Sequence, residues 1–449
     1  MKSNLLYRPS DVFSVARDEV EVDNLLNNDI YKFLMLDFIL AQDEYKDVNV
    51  RWKMKIRNDN IRIADVIPLE ALKEQFDATA QIKGVSQADI SFLRGMQRPD
   101  GKQLFREETL KFLQEFRLPE YSITKDNEGG YDLEFVGPWK ASLMWEVLGL
   151  KIVNTLYLYH YGKKEKISNV EFDEIINQTI RRLYDDVKIY KNHPGITLSE
   201  FGTRRSASTD IQRMVNEILN EKLPGQYMGT SNVMIAREMG NANPKGTNAH
   251  ELRMIPTALE DDPQRIIDVM YDVDRKWGKH FPGLSILLPD TYGTSFYFKN
   301  CPEDIAMTHN GNRFDSKDPN IGIPEYERFL QKFGLDPKTH LRIPSDGLNS
   351  KIVVDIYERN KHYGPITFGK GTHLTNNTKG TWPREVEPHG PFGSMSVVVK
   401  PYEVQRPDGS WVKCVKLSDN PDKGMGEERL PLFKRTFGTE GFQRQDVLV

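Results

Sequence analysis

Four short apolar runs in the middle of the chain each end in a polar, glycine-bearing turn, and this rhythm limits the fold more than any other feature. The run 196–201 ends in Gly202-Thr203-Arg204-Arg205, and 284–288 leads to Pro289-Asp290-Thr291-Tyr292-Gly293. The run 341–343 leads to Ser345-Asp346-Gly347, and 366–368 to Gly369-Lys370-Gly371-Thr372. Helical patterns lie between them over 209–223, 326–333 and 348–359; in the last, Leu348, Ile352 and Ile356 fall four apart on one face. Short buried runs alternating with amphipathic helices predict parallel strands joined by crossover helices, hence a barrel or an open sheet. On such a scaffold the C-terminal strand ends carry the chemistry. The four turns therefore mark one face as a site.

The flanks have a different pattern. A helix is expected over 23–40, entered through Asn27-Asn28-Asp29, then a strand over 48–57, where Val48, Val50, Trp52, Met54 and Ile56 alternate with polar residues. Helices follow over 69–76, 87–96 and 107–116, a strand over 131–136, and a long apolar helix over 139–160 that should sit in a core. After a Gly/Pro-rich loop over 380–391, strand patterns return over 395–399 and 411–417. The expected organisation is α/β: a first domain over 1–190, a βα domain over 191–385, and a tail over 386–449 whose strands return to the first domain.

Composition excludes several functions. With 61 Lys and Arg against 65 Asp and Glu, the formal net charge of -4 leaves no electrostatic footprint for nucleic acid or an anionic membrane. No apolar run approaches the about 18 residues of a membrane span, and residues 1–20 read as neither signal peptide nor anchor. Cys301 and Cys414 match no metal or redox spacing and read as reduced thiols. The expected location is the cytoplasm.

Three stretches carry candidate chemistry. In Gly229-Thr230-Ser231-Asn232 through Gly246-Thr247-Asn248-Ala249-His250-Glu251, two Gly-Thr pairs bracket a short helix at 233–239 and lead to a histidine beside a carboxylate. Such an imidazole can act as base, ligand or nucleophile. The segment Arg313-Phe314-Asp315-Ser316-Lys317-Asp318-Pro319 sets two carboxylates beside an arginine, fit for ribose hydroxyls, a hydrated Mg2+ or a phosphate, or simply for a solvated turn. Gly369-Lys370-Gly371-Thr372 offers backbone N–H groups and a hydroxyl to a phosphate, or is a plain βα turn; His373-Leu374 breaks the dinucleotide fingerprint. The other histidines form no metal-ligand spacing.

Taken together and in order, these stretches resemble the nicotinate phosphoribosyltransferase family from about residue 24 to 424. The resemblance rests on Leu25-Leu26…Asp29…Tyr31-Lys32…Met35, Phe201-Gly202-Thr203-Arg204-Arg205, Gly229-Thr230-Ser231-Asn232 and Gly246-Thr247…Ala249-His250-Glu251. It continues through Arg313…Asp315-Ser316…Asp318-Pro319, Ser345-Asp346, Phe368-Gly369…Gly371-Thr372 and Lys416-Leu417-Ser418-Asp419…Pro421. It implies an irregular, incomplete α/β barrel plus an α/β sandwich built from both chain ends, in a homodimer with active sites near the interface. It implies synthesis of nicotinate mononucleotide and pyrophosphate from nicotinate and phosphoribosyl pyrophosphate, with Mg2+, in NAD salvage. His250 then resembles a histidine that ATP transiently phosphorylates, Asp290 the carboxylate that orients it, and Arg204 and Arg313 residues near the substrate carboxylate and phosphates. Tyr31, from the neighbouring subunit, resembles the aromatic that stacks on the pyridine. Asp315 would lie near the ribose; Ser345, Gly369, Gly371 and Thr372 near the 5′-phosphate; Ser231 near the pyridine substituent; and Thr230, Asp346 and Gly347 would also bind substrate.

Two positions refine the resemblance. Related nicotinamide enzymes carry an aspartate where this chain has Ser231; a carboxylate there would repel nicotinate, and serine does not. The acid is therefore the expected substrate. Lys317 replaces a glycine usual in the family, so if that position needs φ > 0 the turn around Asp318 must differ here.

Overall fold

Alternating residues over 49–56 form a strand because one face can be buried while the other stays polar. In the computed structural model, which describes residues 6–57, 61–241, 243–383 and 395–444, Val50, Trp52 and Met54 of this strand are buried. Numbered along the chain, the strands are β1 (Asn49–Ile56), β2 (Tyr121–Lys125), β3 (Tyr131–Pro138), β4 (Thr197–Glu200), β5 (Tyr227–Thr230) and β6 (Ile286–Leu287). They continue as β7 (Gly311–Phe314), β8 (Leu341–Pro344), β9 (Thr367–Lys370), β10 (Val397–Gln405) and β11 (Trp411–Lys413).

The first sheet is antiparallel, in the order β11-β10-β1-β3-β2. Residues from near the chain's C-terminal end thus lie in the centre of a sheet begun near its start. Met54 pairs with Val399 and Lys53 with Lys400, with an irregularity between Arg51 and Trp52. The helix Trp145–Lys164 packs on the apolar face: Trp145 stacks on Phe135 at 5.0 Å and on Phe76 at 5.6 Å. Gly149 permits this approach, since a Cβ there would come within 2.9 Å of the Phe135 ring. The long helix expected over 139–160 is in fact two, Trp139–Ser142 and Trp145–Lys164. Periodicity also fails to reveal the helix Asn169–Lys191, which opens on a capping box between Ser168 and Glu171.

The six remaining strands are parallel in two groups, β5-β4-β9 and β6-β7-β8. A parallel bridge from Arg342 to Ile366 joins them, giving the curved order β5-β4-β9-β8-β7-β6. Among the described residues β5 and β6 do not pair, so the array is an irregular α/β barrel that stays open. Crossover helices start where a turn residue caps them: Ser208 accepts from Ile211 N, Asp318 from Asn320 N and Asn349 from Ile352 N. The run at 284–288 yields only the two-residue β6, whereas β5 and β7 have no apolar run to announce them. Much of the expected loop at 380–391 lies outside the described residues. No described helix is long and apolar enough to cross a membrane.

Candidate active site

The C-terminal ends of β4, β5, β7, β8 and β9 converge, with the segment 245–250, on a cavity of about 140 Å³. Its walls include Tyr31, Arg204, Ser231, His250, Arg313, Asp315, Ser345, Asp346, Gly347, Gly371 and Thr372, so sequence-distant candidates meet in one place.

His250 immediately precedes the helix Glu251–Ala258 and is buried. Its Nδ1 lies 3.0 Å from Thr291 Oγ1 and 3.8 Å from Asp290 Oδ1. Lys416 Nζ stands 3.0 Å from Nε2, and Asp315 Oδ2 stands 3.1 Å from the same nitrogen. With Lys416 donating to Nε2, the Nε2 lone pair is the acceptor and the proton is assigned to Nδ1, facing Thr291 Oγ1. Burial, followed by the Lys416 charge, pushes the imidazole down to about 3 from an ordinary 6.5, and Asp290 and Asp315 only partly oppose them. His250 is therefore neutral at physiological pH.

Asp290 stands directly behind this ring. Ser316 Oγ donates to its Oδ2 at 2.6 Å, whereas Oδ1, facing His250, has no hydrogen-bond partner among the described residues. Asp315 accepts from Ser345 Oγ at 2.9 Å and faces Arg313 Nη2 at 3.5 Å. Burial would raise the Asp315 pKa, but the charges of Arg313 and Lys416 outweigh it and hold the carboxylate well below its usual range. It stays ionised.

One end of the cavity is built from β4, β5 and the start of the helix Ile30–Leu40. Ile30 N donates to Ser231 O at 2.8 Å, and Ser231 Oγ donates to Asp29 Oδ1 at 2.6 Å. This pairing brings the chain's own Tyr31 to the cavity wall. Tyr31 O–H points to Glu146 Oε2 at 3.5 Å. Glu146 also approaches Lys32 at 2.6 Å, Lys400 at 3.4 Å and Arg204 at 3.6 Å. Burial disfavours the Glu146 charge, yet those three cations keep it ionised.

Further cations were not anticipated: Arg57 from just beyond β1, Lys400 from β10, Arg205, and Lys416 and Lys423 from the tail. Burial and mutual repulsion depress several of them: Arg205 falls to about 9, Lys416 to about 8, and Arg57 and Lys400 fall as well. A polyanion would relieve that repulsion. Arg205 and Lys416 lay within stretches that carried the resemblance; Arg57 and Lys400 read only as strand residues.

Two candidates stand behind the wall instead. Thr230 Oγ1 donates to the buried Glu200 Oε2 at 2.6 Å and accepts from Asn232 N, which braces the turn that presents Ser231. Gly369 lies under Phe201, where a Cβ would come within 2.4 Å of the ring, so it serves close packing of strand ends. Lys370 also turns away, to Asp186 at 2.9 Å and Tyr190 O–H at 2.8 Å. Lys317 has no left-handed backbone. It is accommodated by its side chain, which reaches Ser295 Oγ at 2.9 Å and pairs with Glu325, while Asp318 caps the helix Pro319–Lys332 rather than facing the cavity.

The trio His250, Asp290 and Asp315 sets donor atoms within 4.8 Å of one another. The Lys416 ammonium already lies 3.0 Å from His250 Nε2, so the trio is no resident metal cage. Asp315 nevertheless fits a hydrated Mg2+ arriving on a phosphate chain, since Mg2+ prefers oxygen ligands and keeps its waters.

A buried neutral imidazole has a pH consequence. The unfolded chain takes up a proton on His250 below about 6.5 and the folded chain does not until about 3, so this group's contribution to stability is complete above 6.5 and is lost as pH falls towards 3. In [13C]histidine-labelled protein, with His250 assigned by a His250→Gln comparison, its ring resonance should not titrate between pH 8 and 5. A midpoint near 6.5 would contradict the assigned environment.

The chain matches the model of the "Nicotinate phosphoribosyltransferase (NAPRTase) family" over residues 196–441 and that of the family's N-terminal domain over residues 26–154. Its fold is similar to a crystal structure of nicotinate phosphoribosyltransferase from Vibrio cholerae, at 26% identity with a TM-score of 0.80, covering 97% of this chain and 96% of that one. A nicotinate phosphoribosyltransferase from Porphyromonas gingivalis gives a TM-score of 0.79 at 24% identity, covering 93% of this chain and 100% of that one. A putative nicotinate phosphoribosyltransferase from Saccharomyces cerevisiae gives 0.75 at 23% identity, covering 95% and 99%. With family models covering most of its length and a cavity of matching residues, the chain belongs to the nicotinate phosphoribosyltransferase family.

Proposed function

We propose that the cavity joins nicotinate to phosphoribosyl pyrophosphate, giving nicotinate mononucleotide and pyrophosphate, and that ATP stimulates this through transient phosphorylation of His250. The observation that carries the ATP coupling is the buried neutral imidazole with its Nε2 lone pair on the cavity side, between an ammonium and a carboxylate.

The transfer step needs no general base, because the pyridine nitrogen brings its own lone pair. The N–C1′ bond forms as C1′–O breaks, and the pyrophosphate leaves with the bonding electrons. Positive charge grows at the anomeric carbon, where the ionised Asp315 is placed to stabilise it. Negative charge grows on the pyrophosphate, which the ring of Arg57, Arg205, Lys400 and Lys416 would receive. Arg204 takes the nicotinate carboxylate and Tyr31 offers its ring to the pyridine, so much of the rate comes from positioning. Ser345, Gly347, Gly371 and Thr372 line the end available to the 5′-phosphate. Mg2+, held through Asp315, would supply charge neutralisation on the pyrophosphate.

In the ATP half, Nε2 attacks the γ-phosphorus, the bond to the β-phosphate oxygen breaks, and ADP leaves. The Nδ1 proton stays on the ring, facing Thr291 and Asp290, whose free Oδ1 offsets the charge that develops on the imidazole. The Lys416 ammonium moves from the nitrogen lone pair to the new phosphoryl oxygens. Hydrolysis of the phosphohistidine then releases phosphate, and differential binding of the two states drives product accumulation.

Two substitutions test this reading. His250→Ala should keep slow ATP-independent transfer and lose ATP stimulation in a radiolabelled nicotinate assay; undiminished stimulation would remove the phosphohistidine. Ser231→Asp would set a second carboxylate against the buried Asp29, which already accepts from Ser231. The ratio of kcat/KM for nicotinate over nicotinamide should fall at least about tenfold, or ~1.4 kcal/mol. An unchanged ratio would show that acid selectivity is set elsewhere.

A further inference from the structure

A second chamber, of about 770 Å³, lies against the catalytic cavity and is larger than it. Arg57, Lys400, Lys416 and Lys423 stand in the walls of both. The alternation that makes β1 a half-buried strand also puts Lys53 and Lys55 on one face, and the register sets Lys400 directly opposite Lys53. That cationic face of the antiparallel sheet is one wall of the chamber, and Lys413 and Lys434 extend it. Among the described residues only Asp422, Glu427 and Glu428 line it with negative charge.

Several of these cations are already committed. Lys53 pairs with Glu134 at 2.8 Å, Lys413 with Glu403 at 2.7 Å, and Lys423 with Asp346. Lys55, Arg57 and Lys434 have no carboxylate within 4.0 Å among the described residues, so their charge is open to a ligand. The aromatic groups are not. Lys413 and Lys53 lie 3.6 Å and 5.3 Å from the centroid of the Tyr402 ring, and the Phe442 ring packs against Gly293, where a Cβ would meet it at 2.9 Å. Among its described lining residues, the chamber offers positive charge without a free aromatic face for a base to stack on.

We propose that this chamber is a second anion site that binds an oligophosphate chain through Lys55 and Lys434, with Arg57 in the wall it shares with the catalytic cavity, without recognising a nucleobase. The same chemistry accepts an inorganic chain or the phosphates of a nucleotide. Counting bound ligand needs no turnover, so the outcome is independent of whether the proposed reaction holds.

The test is equilibrium dialysis of the full chain with inorganic tripolyphosphate at low salt, where exposed charges are least screened. Lys55→Glu/Lys434→Glu alters exposed residues outside the catalytic cavity. This variant should bind one tripolyphosphate per chain fewer than the unsubstituted protein, while Lys55→Arg/Lys434→Arg should keep the full number. Transfer by the Glu variant should stay within about twofold. Equal stoichiometry in the Glu variant and the unsubstituted protein would overturn the proposal. ATP should displace tripolyphosphate from this site with comparable affinity and adenosine should not; a preference for ATP above tenfold would overturn the phosphate-only recognition.

Discussion

Crowding of like charge around a buried cavity is the constraint on which the rest of this structure depends. Arg57, Arg204, Arg205, Lys400 and Lys416 all line one small space. Away from bulk water their repulsion is poorly screened. A single buried carboxylate, Glu146, approaches Lys32, Arg204 and Lys400, and touches the Tyr31 hydroxyl as well. A lone buried carboxylate would be costly, but with several cations in contact it remains charged. Through it Tyr31 and Arg204 share one electrostatic anchor with Lys400. What remains uncompensated is positive, and it suits a phosphorylated sugar carrying a pyrophosphate.

The two architectural halves supply different parts of this arrangement. The parallel strands bring residues to defined points of the cavity wall: Ser231, Arg313, Asp315, Ser345 and the Gly371-Thr372 turn. The antiparallel sheet, completed by β10, brings diffuse positive charge through Arg57 and Lys400. The tail closes the site from behind. Leu417 N and Ser418 N donate to Thr291 O, fixing the backbone beside Lys416, and Asp419 accepts from Thr294 N at 3.0 Å. Such a division explains why strands from both chain ends must meet before the histidine has its neighbours.

Much of this was legible in the sequence, and the omissions have physical causes. The strand-end turns were readable because glycine and polar residues at the end of an apolar run have few structural uses. Asp290 lies in such a turn, and it does come together with His250 and Asp315, which the Gly-Thr-Asn-Ala-His and Arg-Phe-Asp stretches singled out. Arg57 and Lys400 were not readable, since a cation on the polar face of an alternating strand is indistinguishable from a solvated one until the sheet partner is known. Short strands such as Gly311–Phe314 hid for the opposite reason, because their residues are chosen for the site rather than for β-propensity. Thr230 and Gly369 were placed in the wall because they belong to informative turns, yet each supports the neighbour that reaches the cavity. Lys317 can replace a glycine because its turn does not adopt a left-handed backbone.

The central claim is that a cation-rich cavity with an acid-selective pyridine end is coupled to ATP through one neutral histidine. The most direct measurement is product formation from phosphoribosyl pyrophosphate and Mg2+ with nicotinate and nicotinamide competing at equal concentration, run with and without ATP. The account predicts nicotinate mononucleotide as the dominant product, with a yield that rises when ATP is present. Nicotinamide mononucleotide as the dominant product, or a yield indifferent to ATP, would contradict it.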